Sequence, residues 1–122
     1  VRKKLTRPPI SITGESLDRE LALSRVGGDV DLLKEIAQLF VEDYPRVLDE
    51  LHQAVDTGDA QAVERTAHGL KGSVSTFGAS AAMEAARTLE NLGRARQLEQ
   101  VRQVLNTLEL ALAALRPELE SL

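Results

Sequence analysis

The chain has 122 residues, 43% of them hydrophobic, enough for one compact domain with a real core. Phe40, Tyr44 and Phe77 are its aromatic residues, so the core must come from Leu, Val, Ile and Ala, which favours close-packed helices over a sheet or a base-stacking surface. The net charge of -4 (15 basic, 19 acidic) leaves no basic footprint for nucleic acid, and the lack of cysteine excludes disulfides and thiolate metal sites and suits a cytoplasmic protein.

Residues 1–15, VRKKLTRPPISITGE, are polar, basic and proline-bearing without sustained periodicity, and read as a linker or arm. The excess of Arg and Lys there is too small to argue a membrane or nucleic-acid arm. With Val rather than Met at its start, the chain reads as a domain of a larger protein. A first helix is expected from about residue 17, with Ser16 as its cap and Asp18 and Glu20 suited to its N-terminal dipole. Gly27 and Gly28 end it. Asp29 caps a second helix whose apolar positions Leu33, Ile36, Phe40, Tyr44, Val47, Leu51 and Ala54 keep a three-and-four rhythm through Pro45. That register favours one helix kinked at the proline over two helices joined near Asp43.

Thr57, Gly58 and Asp59 turn the chain into a third helix, with Asp59 as its cap. Its apolar stripe is Val63, Ala67, Leu70, Val74 and Phe77, and at 100° per residue His68 lies well off that stripe. The imidazole shares a face with Gln61, Glu64, Arg65, Lys71, Gly72 and Ser75, so it is expected to be open to another protein, with Lys71 one turn away. Glycine inside a helix costs roughly 1 kcal/mol relative to alanine. Two of them, Gly69 and Gly72, flank the histidine, and their missing side chains would let a partner's loops approach it. A neutral imidazole nitrogen is a competent nucleophile near pH 7, and a lysine beside it would partly neutralise an acquired phosphoryl group. Which ring nitrogen reacts is not legible from the sequence.

Gly78 closes the third helix and Ser80 caps the fourth, expected over 80–91, with Ala82, Ala85, Ala86 and Leu89 as a narrow face for close approach. Gly93 is expected to break it. A last helix over 94–116 carries Leu98, Val101, Leu105, Leu108, Leu112 and Leu115, with Pro117 as a stop and 117–122 as a tail. Short connections between amphipathic helices predict an all-α, antiparallel up-down-up-down four-helix bundle over 16–116, with a short extra N-terminal helix packed against one end.

The stretch AHGLKGSVSTFGA, residues 67–79, resembles the signature of histidine-containing phosphotransfer (HPt) domains of multistep two-component phosphorelays. The segment SRVGGDVDLLKEIAQLFVEDYPRVLDEL and the Gly58-Asp59 pair resemble the first half of the same family, so the likeness spans roughly residues 16–115. The resemblance implies that His68 accepts a phosphoryl group from a receiver-domain phospho-aspartate and passes it to another receiver, with Lys71 stabilising its charge. It implies response-regulator receiver domains as donor and acceptor, magnesium brought by the receiver, and no cofactor of the chain's own. It also implies docking through an apolar patch beside the histidine, for which Leu21, Val26 and Phe40 are candidates. A monomeric module at the C-terminus of a hybrid sensor histidine kinase would fit.

Two other readings compete. A chemotaxis-kinase phosphotransfer domain uses a similar His-x-x-Lys-Gly helix but takes phosphate directly from a kinase's ATP-binding domain, and a structural helical adaptor would leave His68 inert. The sequence has no P-loop, no ATP-binding segment and no receiver-type aspartate pocket, which argues for a phosphoryl carrier rather than an enzyme. No apolar run approaches the ~18 residues of a membrane span, no signal-peptide pattern is present, and no histidine or carboxylate cluster has metal-ligand spacing. His52, without a lysine or glycine at the matching positions, reads as an ordinary surface histidine.

Overall fold

The computed structural model describes residues 16–122, so the expected arm at 1–15 lies outside the described residues. Five α-helices follow in order: α1 (Arg19–Arg25), α2 (Val30–Thr57), α3 (Ala60–Ser75), α4 (Ser80–Ala95) and α5 (Val101–Glu120), with a single 3-10 turn at Leu98–Gln100 before the last. No strand occurs among the described residues. Neighbours in sequence are neighbours in space: α2 packs on α3, α3 on α4, α4 on α5, and α5 returns to α2, closing a four-helix ring with α1 against it.

Local chemistry sets most of the helix starts. The carboxylates of Asp29 and Asp59 accept backbone N–H bonds from Leu32 and Ala62 at 3.0 and 3.1 Å, capping α2 and α3 as the sequence predicts. The cap of α1 is Asp18, not Ser16. The backbone N–H groups of Ser16 and Leu17 instead donate to the Glu118 carboxylate at 3.0 and 2.9 Å, which holds the approach to α1 against the last turns of α5. Ser80 likewise begins α4 without capping it; Ala79 occupies the cap position and offers no side-chain acceptor.

Both interior prolines are carried within helices. α2 runs as one helix through Pro45, whose ring faces solvent, while Leu33, Ala37, Tyr44, Leu51 and Ala54 are buried on the other side. α5 continues past Pro117 to Glu120, contrary to the expected stop, because Leu119 is buried and Glu118 holds the start of α1. Burial there offsets the ~3 kcal/mol that an interior proline costs.

The expected break at Gly93 does not occur. α4 continues to Ala95 and ends where Arg96 takes the left-handed conformation at φ 57°. The expected 94–116 helix is therefore divided between the end of α4, the 3-10 turn and α5. Gly93 serves packing instead, since a Cβ placed there would lie 2.7 Å from the backbone nitrogen of Glu64 and 2.8 Å from the carbonyl oxygen of Ala60. The missing side chain lets α4 lie directly on the α3 backbone. With Ala82, Ala85 and Ala86 also buried, α3 and α4 form the most intimate pair of the bundle.

Candidate functional site

The buried side of α3 is the predicted stripe: Val63, Ala67, Leu70 and Val74, continued by Phe77, are all at most 3% exposed. This anchors the helix by its apolar face and turns His68 outward, its side chain 67% exposed. One edge of the ring nevertheless has a fixed partner. Nδ1 of His68 lies 2.8 Å from Oε2 of Glu90 on α4.

Glu90 is the one buried charged side chain among the described residues, at 4% exposure. Its Oε1 accepts from Nζ of Lys71 at 2.7 Å, and its Oε2 also accepts from a guanidinium nitrogen of Arg94 at 3.0 Å. Arg94 continues to Glu64 on α3 through its Nε at 3.0 Å. A single carboxylate thus gathers the histidine, the lysine and an arginine from two helices. The hydrogen bond from Lys71, followed by that from His68, holds the Glu90 carboxyl below the usual carboxylate range against the opposing effect of burial.

The ionised carboxylate can only accept, so the ring nitrogen facing it is the protonated one, Nδ1–H. The neutral ring then carries its lone pair on Nε2, on the side away from Glu90. This is the carboxylate–imidazole pairing that fixes tautomer and ring orientation and favours build-up of positive charge on the ring.

Lys71 is held differently from the sequence expectation. It is half-buried and tied to Glu90 rather than standing free beside the imidazole. Gly69 and Gly72 both face open space, with no atom within 4 Å of a Cβ built on either. Ser73 and Ser75 return their hydroxyl protons to the carbonyls of Gly69 and Gly72. His52 is remote, bonded to Glu109 at 3.0 Å across α2 and α5.

Of the docking candidates, Phe40 alone borders the α2–α3 groove on the flank of His68's helix. It stacks on Tyr44 with ring centroids 5.4 Å apart and leans on Phe77 at 5.5 Å. The groove continues to Ile36 and Leu39, and Leu39 is 64% exposed. Leu21 and Val26 lie on α1 and at its end, and do not line the groove.

Glu90, Arg94 and Leu39 were missed by sequence reasoning. Glu90 did leave a signal. It stands four residues after Ala86 and three before Gly93 in the small-residue register of α4, where a charge has to find partners. Among the described residues no group of histidine and carboxylates could hold a metal ion, and no helix is long and apolar enough to cross a membrane.

Residues 35–118 match a family model described as Hpt domain. The crystal structure of histidine-containing phosphotransfer protein B (HptB) from Pseudomonas aeruginosa PAO1 superposes with a TM-score of 0.81 at 29% sequence identity, over 88% of this chain and 93% of that one. No curated protein matches the chain significantly.

Proposed function

The chain belongs to the Hpt domain family and serves histidine phosphotransfer in a phosphorelay; from that premise we propose that Nε2 of His68 is the atom that carries the phosphoryl group. Hpt domains are phosphocarriers rather than catalysts and interact with receiver domains. The observation that carries the assignment is the 2.8 Å pairing of Nδ1 with the buried Glu90, which leaves Nε2 as the nitrogen facing away from the carboxylate on a ring 67% exposed.

In the proposed step the Nε2 lone pair attacks the phosphorus of a receiver's aspartyl phosphate. The N–P bond forms as the P–O bond to the aspartate breaks, and that electron pair leaves with the receiver's carboxylate. The proton on Nδ1 stays where it is. Positive charge gained by the ring faces Glu90, so the carboxylate stabilises the transition state more than the ground state. The receiver supplies the magnesium, and the reverse step hands the phosphoryl group to a second receiver. The open space over Gly69 and Gly72 admits the receiver's loops, and the groove bordered by Phe40 and Leu39 is its apolar footing. The chain provides no ATP site in this reading. Its phosphate comes from a partner.

The test is transfer from a panel of radiolabelled phospho-receiver domains to the chain and to His68→Gln, scoring acid-labile, base-stable label. The expected result is label on the native chain and none on the variant. Equal label on both would remove His68. Labelling solely by a chemotaxis-type kinase core with ATP would replace the receiver as donor.

A further inference from the structure

Three cations lie within a turn or one helix of His68, and their commitments differ. Lys71 is bound to Oε1 of Glu90, and Arg94 spans Glu90 and Glu64. Arg65, one turn before the histidine on α3, is exposed and makes no ion pair among the described residues. Its neighbours pair their charges away. The guanidinium of Arg65 is left with all five donors available.

Its position matters as much as its freedom. Residues three apart on a helix have Cβ atoms about 5–6 Å apart, and Cα–Cβ bonds tilt toward the helix N-terminus, so the His68 ring leans over the turn that carries Arg65. Arg65, His68, Gln61, Glu64, Glu90 and Arg94 line one open depression of about 440 Å³. Arg65 also borders a second depression with Phe40, Tyr44, Gly69 and Leu70 on the α2–α3 side. It borders both the depression that holds the nucleophile and the one beside Phe40. A phosphoryl group on the His68 ring would share the first depression with it.

We infer that Arg65, rather than Lys71, is the side chain of this domain that binds the phosphoryl oxygens in transit and on the loaded histidine. An unpaired planar guanidinium matches two phosphoryl oxygens at once, whereas Lys71 is already committed to Oε1 of a buried carboxylate, for which it is the one ion-pair partner among the described residues. Counting the five ionised side chains around His68, three cations face two carboxylates, and Arg65 is the source of the surplus. Lys71 acts through Glu90 and is a positioning residue.

This inference rests on His68 as the phosphoacceptor. Its test uses the receiver that labels the native chain fastest, with Arg65→Ala, Arg65→Lys and His68→Gln compared at saturating receiver. Arg65→Ala is expected to lower the maximal transfer rate about tenfold and shorten the lifetime of isolated phosphohistidine, with unchanged thermal unfolding and partial rescue by lysine. A native maximal rate and lifetime in Arg65→Ala overturns the inference. So does an effect confined to the receiver concentration giving half-maximal rate, which would make Arg65 a docking residue. Label on His68→Gln overturns the underlying reading instead, whatever Arg65→Ala does.

Discussion

The two faces of α3 use glycine in opposite ways. Where α3 meets α4, the glycine belongs to the neighbour: Gly93 has no room for even a methyl group, because the α3 backbone fills the place where it would stand. On the outer face, Gly69 and Gly72 meet nothing within 4 Å. The first absence of a side chain is demanded by the fold. The second is not, and it costs helix stability that the fold does not recover, so its reason lies outside the molecule. A glycine that packing does not explain is a better pointer to a partner than one that packing requires.

The largest effect that could break this contrast is Gly93→Ala. Forcing a methyl group within 3 Å of two backbone atoms should cost about 2–3 kcal/mol, read as a lowered midpoint in urea unfolding. A native midpoint would show that the α3–α4 crossing yields freely. Next in size is Glu90→Ala, at about 1–2 kcal/mol, because Lys71 and Arg94 lose their shared acceptor yet can turn toward water.

Acid sharpens that second test. Since the Glu90 carboxyl is held below its ordinary value near 4.3, its contribution is fully present above that value and disappears as pH falls through the lower folded value. The stability gap between the native chain and Glu90→Gln should therefore close below about pH 4. A gap that stays constant into acid would mean that the carboxylate's charge contributes nothing. The smallest effect has the opposite sign. Gly72→Ala should stabilise the helix by about 0.5–1 kcal/mol, whereas Gly72→Leu should keep the fold and slow phosphotransfer. Normal transfer in the leucine variant would dismiss the access argument for the outer face.

What the sequence disclosed follows the same division between local and tertiary causes. The caps at Asp29 and Asp59, the buried stripe of α3 and the outward turn of His68 depend on residues three and four apart, and they were legible. The end of α4, the persistence of α5 through Pro117 and the commitment of Lys71 depend on residues brought from other helices. Gly93 was read as a breaker because its helix-breaking tendency is local, while the backbone it accommodates is about 30 residues away in sequence. Glu90 was passed over for a similar reason: without knowing that α4 lies on α3, nothing said which side chains a carboxylate there would meet.

That carboxylate has a thermodynamic consequence beyond aiming a ring. Glu90 belongs to α4 and His68 to α3, so the bond between them is at once part of the reactive group and part of the bundle. In the proposed phosphorylated state the ring bears more positive charge, and its attraction to Glu90 grows. Linkage is reciprocal: if loading His68 tightens the seam between the helices, then whatever tightens the seam makes the loaded histidine a poorer donor and a better store. The transfer potential of the phosphoryl group is in this sense a property of how two helices are held together.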